Sequence, residues 1–189
     1  MRILTKNTAG LNQLYKLHQT LRLARRHDIT FCQETKLKID QLSMIRAKWG
    51  SKDVFMSTTN AARRGVLTLL HPRLGAKILH EVRDNGQFHI LITSIKSEIY
   101  MLVNIYGSPD NDTEANEVMT SLLRNIEQAR QAFVIQHTIM AGDFNFVLNA
   151  SDSTSHTRKP RAEATCTTII NTFDLYDVAA LQSNIEHSS

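Results

Sequence analysis

Residues 77–106 read KILHEVRDNGQFHILITSIKSEIYMLVNIY, and this stretch decides the fold class. Three β-rich runs, 77–82, 88–95 and 99–106, are parted by two short polar breaks. Asn85-Gly86 fills the first break, and both residues tolerate the positive φ that a tight type I′ hairpin turn demands. Residues 96–98 form the second turn. Three strands in a row joined by tight turns must run antiparallel. Two more strand candidates, 54–58 and 66–70, lie just upstream.

Helical periodicity appears on both sides of this run. Leu11, Leu14, Leu17, Leu21 and Ala24 recur at steps of three and four, which makes one apolar face of an amphipathic helix. Short strands at 2–6 and 28–33 flank that helix. Asp40 can cap a short helix carrying Leu42 and Ile45, which Gly50 can end. Downstream, Thr113 opens a long helix with Val118, Met119, Leu122, Leu123 and Ile126 as its buried stripe. A strand at 134–141, a polar loop at 149–161, a helix at 162–173 and a strand at 175–178 complete the pattern. No internal repeat is present. Helices separated by hairpins predict an α+β fold: a two-layer antiparallel β-sandwich flanked by helices.

The length of 189 residues predicts a single domain, 1–189, with room for a substantial core. A formal net charge of +4 suits an anionic partner such as nucleic acid. Cys32 and Cys166 sit in dissimilar settings, which points to reduced buried thiols and not to a disulfide framework. The N-terminus carries no cleavable signal pattern, and no apolar run approaches the ~20 residues of a membrane span. No membrane partner is expected, and the expected location is intracellular, in the nucleus.

Polar residues stand where apolar strands end. FCQETK, 31–36, places Glu34 just past one strand, and MAGDFN, 140–145, places Asp143 and Asn145 at another. Asn7 follows the first strand and Tyr106 ends the strand 99–106. If these strands are central, their ends converge on one rim. A carboxylate there can bind Mg²⁺, which keeps waters and substrate phosphates as its other ligands. The metal polarises a phosphoryl oxygen, and a second carboxylate orients or deprotonates water. Asparagine amides and a tyrosine hydroxyl can donate to phosphate oxygens. Each residue taken alone also fits a plainer part: Glu34 a solvated turn, Asp143 a turn with Gly142, Asn7 a helix cap, Tyr106 an ordinary strand aromatic. His71, His80, His89 and His137 are scattered without ligand spacing.

Six segments in order resemble the endonuclease/exonuclease/phosphatase superfamily, with its DNase I-like fold. They are ILTKNTAGLN from Ile3, DITFCQETK from Asp28, RRGVLTLL from Arg63, LVNIYGSPDND from Leu102, IMAGDFNFVL from Ile139 and FDLYDVA from Phe173. Within that superfamily the likeness is greatest to the endonuclease domain of LINE-type retrotransposons. The resemblance implies a four-layer αββα fold and a Mg²⁺-dependent nuclease that nicks DNA, with Mn²⁺ as an alternative ion. By it, Glu34 would hold the metal and Asn7 would support the metal and phosphate site. Tyr106 would contact the scissile phosphate, Asp143 would position the nucleophilic water, and Asn145 would bind phosphate. The loop 152–161 would lie near DNA, with Arg158, Lys159 and Arg161 on its backbone. DNA is the implied partner, with a reverse transcriptase downstream in the same polyprotein.

The family pattern continues past DLYDV into strands carrying another Asp and a closing Ser-Asp-His motif. The expectation is therefore a domain truncated at its C-terminal side, lacking the last strands. Glu186-His187 imitates an acid–His pair but comes too soon after Asp177 to be that motif. Two other readings keep the fold: a catalytically incomplete remnant that only binds nucleic acid, and a phosphatase or phospholipid phosphodiesterase.

Overall fold

The computed structural model describes residues 1–59, 61, 63–148 and 158–178. Among these residues eight strands and four α-helices follow one another as β1 (Ile3–Asn7), α1 (Leu14–Ala24), β2 (Ile29–Gln33), α2 (Leu42–Trp49), β3 (Val54–Thr58), β4 (Gly65–Leu70), β5 (Lys77–Asp84), β6 (Phe88–Ile95), β7 (Glu98–Tyr106), α3 (Asp112–Ala132), β8 (His137–Asp143) and α4 (Pro160–Thr172). The strands make two sheets of four, in the orders β1-β2-β4-β3 and β5-β6-β7-β8.

Both sheets are mixed, where the sequence predicts antiparallel ones. β1 pairs with β2 in parallel, and β7 pairs with β8 in parallel; the other pairs are antiparallel. The reason is local. A parallel pair needs a long crossover, usually a helix, and α1 and α3 are those crossovers.

Burial explains why the layers stack. Leu17 and Leu21 of α1 and Ile45 and Trp49 of α2 pack on Cys32, Val54, Met56, Leu67 and Leu69 of the first sheet. Val118, Met119, Leu122 and Ile126 of α3, with Cys166 and Ile169 of α4, cover Phe88, Ile90, Ile92, Met101, Val103 and Ile105 of the second. Between the sheets lie Ile29, Phe31, Phe55, Leu70, Leu91 and Leu102. Strands covered on both faces lose the apolar–polar alternation, so β4 is buried along its whole length. Each buried aliphatic or aromatic side chain contributes roughly 1.5–3 kcal/mol to holding the layers together. Both cysteines are free and buried. Among the described residues no helix is long and apolar enough to cross a membrane.

The two hairpin turns exchange the chemistry expected of them. Lys96 (φ 50°) and Ser97 (φ 70°) are both left-handed and join the opposed residues Ile95 and Glu98, as a two-residue type I′ loop requires. At Asn85-Gly86 only Gly86 is left-handed, at φ 79°. Asp84 opposes Phe88 there, and Gln87 N–H donates to Asp84 O, so the loop holds three residues. Ser57 Oγ accepts from Gly86 N–H and donates to Asp84 O, which ties this wider loop to β3.

Other boundaries move for identifiable reasons. Asn111 caps α3 by accepting from Glu114 N–H, so the helix starts at Asp112. Pro160 opens α4, its fixed φ suiting the first helical position. Asp40 lies in a short 3₁₀ turn ahead of α2, while Gly50 ends that helix at φ 82° as expected. Residues 175–178 are not a strand.

Candidate functional site

Parallel pairing builds the site. Asn7 ends β1 and stands opposite Gln33, the last residue of β2; Tyr106 ends β7 and stands opposite Asp143, the last of β8. Across the gap between the sheets, Asn7 Nδ2 donates to Asp143 Oδ2 at 2.7 Å. Asp143 Oδ1 accepts from Asn145 N–H at 3.1 Å, and Asn145 Nδ2 donates to Gly107 O at 2.8 Å. Asn7 Oδ1 in turn accepts from Ala9 N–H at 3.0 Å. Both oxygens of the Asp143 carboxylate thus have a donor, which fixes its plane.

The backbone there is tightly packed. A Cβ on Gly142 would lie 2.0 Å from Ile105 O, and one on Gly107 would lie 2.1 Å from Phe144 O. Only glycine lets β7 and β8 approach so closely where they deliver Tyr106 and Asp143.

Glu34 adopts a left-handed backbone, φ 52°, just past β2. Its carboxylate pairs with Lys36 Nζ at 2.8 Å, and its carbonyl accepts from Gly10 N–H at 2.8 Å. Tyr106 is buried, and its phenol is held above the usual range, first by desolvation and then by the charges of Glu34 and Asp143, with Arg64 opposing. One hydroxyl therefore feels both carboxylates. A cleft of about 680 Å³ opens beside them, lined by Asn7, Gln33, Asp143, Asn145 and Lys159, with Phe144 and Phe146 on its wall. Glu34 and Tyr106 are not among its lining residues.

The three basic residues expected on DNA part company. Lys159 is buried and donates Nζ to Ser108 O at 2.5 Å, inside the cleft instead of on a surface loop. Burial lowers its pKa, against the pull of Asp110, Asp112, Asp143 and Glu114. Arg158 is ion-paired with Glu163 at 2.5 Å. Arg161 donates its backbone N–H to Asp112 and leaves its side chain exposed. The rest of that loop, 152–157, and Glu186-His187 lie outside the described residues.

Among the described residues no three of His, Cys, Asp and Glu converge on one point. A hard cation asks for less, since it takes one or two carboxylates and keeps water and phosphate for the rest. Glu34 supplies carboxylate oxygens of the kind such an ion takes, and Lys36 Nζ occupies one of them at 2.8 Å.

Gln33 and Asn104 escaped the sequence reading. Both are buried between the sheets, Gln33 at the cleft end, with Gln33 Nε2 donating to Asn104 Oδ1 at 2.8 Å. The available signal was a lone amide within the apolar strand LVNIY.

The sandwich and its rim define a class: this chain has the endonuclease/exonuclease/phosphatase, DNase I-like fold. It superposes on the AP endonuclease LMAP of Leishmania major with a TM-score of 0.63 and 16% identity, covering 89% of this chain and 65% of that one. The endonuclease domain of TRAS1, a telomere-specific non-LTR retrotransposon, gives 0.53 and 14%, covering 89% and 68%. In sequence, the chain is 25% identical over 180 residues to the Transposon TX1 uncharacterized 149 kDa protein of Xenopus laevis. That match takes in 93% of this chain but spans only 13% of the transposon protein. No family model matches the chain.

Proposed function

We propose that the chain is a metal-dependent DNA-nicking endonuclease, a domain of a retrotransposon-type protein. The observation that carries the reading is the Asn7–Asp143 hydrogen bond, which joins the two sheets beside an open cleft. Nuclease neighbours of the same fold and the likeness to a transposon protein support it.

Each residue has a task that its surroundings allow. Asp143, its plane fixed by Asn7 and Asn145, orients water towards the phosphorus and accepts its proton. Tyr106 keeps its proton at neutral pH and donates it in a hydrogen bond to a phosphate oxygen. Asn145 has a second amide hydrogen free of Gly107 for another phosphate oxygen. Lys159 adds a cation at the cleft wall. Glu34 is the residue that would hold Mg²⁺ or Mn²⁺, whose chemistry there is to draw charge from a phosphoryl oxygen. Arg161 offers an exposed charge to the DNA backbone. A reverse transcriptase in the same polyprotein and a nuclear site of action belong to this reading.

The test is conversion of supercoiled plasmid to nicked circles in Mg²⁺, by this chain and by a version extended downstream. Nicking that disappears in Asp143→Ala and Glu34→Ala is the expected result. Inert wild-type protein in both lengths, or turnover of inositol phosphates in place of DNA, would overturn the proposal.

A further inference from the structure

A run of polar side chains crosses the otherwise apolar layer between the sheets. At the cleft end, Gln33 Nε2 donates to Thr5 Oγ1 at 3.1 Å and to Asn104 Oδ1 at 2.8 Å. Asn104, fully buried on β7, turns its own Nδ2 towards Leu67 O at 3.1 Å and towards Cys32 O and Thr68 Oγ1 at 3.3 Å each. Thr68 Oγ1 then meets His89 Nδ1 at 3.3 Å, and His89 Nε2 meets Glu81 Oε1 at 2.7 Å.

Stability alone does not call for this arrangement. A buried amide costs free energy unless its hydrogen bonds are made, and an aliphatic side chain would fill the same layer without that demand. What the amide adds is direction. Apolar contacts tolerate sliding of one sheet over the other, whereas a satisfied buried polar network admits one alignment. Asn104 belongs to the second sheet, and the hydrogen-bond partners of its side chain belong to β2 and β4 of the first.

The location matters as much as the bonding. Gln33 directly precedes Glu34 and stands opposite Asn7. Asn104 lies two residues before Tyr106, which stands opposite Asp143. We infer that Asn104 is a positioning residue: its hydrogen bonds to β2 and β4 align Asn7 and Glu34 on one sheet with Tyr106 and Asp143 on the other. Its catalytic meaning rests on the nuclease reading above; the alignment does not.

Two variants and two readouts test it. Asn104→Leu removes the hub. Gln33→Met removes only its link to β2's last residue, leaving the bonds from Asn104 to Cys32, Leu67 and Thr68. Amide hydrogen exchange at Gly10 and Gly107, which donate to Glu34 O and Asp143 O, reports each half of the rim without any catalysis. Both amides should exchange at least roughly tenfold faster in both variants, while Ile90 and Ile92 in β6 keep wild-type protection. In the nicking assay kcat should fall by about 10²-fold with KM within about twofold. Unchanged exchange at Gly10 and Gly107 would overturn the inference, as would an equal rise at Ile90 and Ile92, or a kcat that stays put. If Asn104→Leu does not fold, Gln33→Met decides. If wild-type protein nicks nothing, the exchange result still decides the alignment, and only the nuclease reading falls.

Discussion

Asn7 and Asp143 are 136 residues apart in sequence, yet the amide of one donates to the carboxylate of the other across 2.7 Å. A first strand and a last described strand meet there, and each comes from a different sheet. Groups that act as a unit lose their effect together. Asp143→Ala should lower nicking by on the order of 10²–10⁴-fold. Asn7→Ala should lower it less, and the double variant should be no worse than Asp143→Ala alone. Additive losses in plasmid-nicking rates would show that the two residues act separately.

Arg158 and Arg161 are three positions apart but differ in partnership. Arg158 already spends its charge on Glu163, whereas the Arg161 side chain is exposed. Arg161→Gln should reduce the slope of log Kd against log salt by about 0.9 for duplex DNA. Arg158→Gln should leave the slope nearly unchanged. Fluorescence anisotropy over a salt series in EDTA reads both, and equal slopes for the two variants would contradict the assignment.

Gly142→Ala puts a methyl group 2.0 Å from the Ile105 carbonyl oxygen, a clash with backbone that no rotamer relieves. Urea unfolding should show a loss of more than about 3 kcal/mol, or no folded protein. Gly50→Ala is the contrast: it is left-handed, φ 82°, with nothing within 4 Å of the new atom. Its cost should stay near ~1–2 kcal/mol. Equal losses at the two sites would refute the close-approach argument.

His89 is enclosed, and burial holds its imidazole below the ordinary 6.5 despite the pull of Glu81. On acidification the unfolded chain takes up this proton first, so stability falls as pH drops below about 6.5, by up to about 1.4 kcal/mol per pH unit. Glu81 works in the same direction at lower pH. Burial raises its pKa, but hydrogen bonds from His89 and Arg83 outweigh that and hold it at about 2 against an ordinary 4.5. Its contribution is complete above about pH 4.5 and disappears as pH falls towards 2. Urea midpoints should drop between about pH 7.5 and 5.5 in wild type and drop less in His89→Gln. Identical pH profiles for the two proteins would count against a neutral buried His89.

Burial pushes the Cys32 thiol up to about 12 and the Cys166 thiol up to about 11. Thiolate is the reactive form, so iodoacetamide at about pH 8 should label neither in folded protein and both in urea. Labelling of either before unfolding would contradict its enclosure.

Strand ends were the legible part of the site. Glu34, Tyr106, Asp143 and Asn145 could be named because each stands where an apolar strand ends, and Asn7 because it follows the first short strand; such positions are visible without coordinates. The parallel pairs were not legible. Periodicity records that α1 and α3 exist, but not that each returns the chain to the same end of its sheet. The turns misled for a different reason. Asn-Gly is the strongest local signal for a type I′ loop, yet the contact of Gly86 and Asp84 with Ser57 favours a three-residue loop, while Lys96 and Ser97 accept left-handed backbone. Lys159 looked like one of three loop charges set against DNA, because a carbonyl acceptor as distant in sequence as Ser108 leaves no trace nearby. Asn104 was hidden by its neighbours: one amide among Leu102, Val103 and Ile105 changes an average hydrophobicity very little.

The assembly of one rim from β1 and β8 has a consequence for a chain under synthesis. While Asp143 is still inside the ribosome, the emerged portion carries Asn7 and Glu34 but no carboxylate opposite them. The tip of the first sheet can form early and remain inert. Completion of the cleft therefore waits for the emergence of MAGDFN and of Lys159 behind it, and not for the folding of the first sheet's strands.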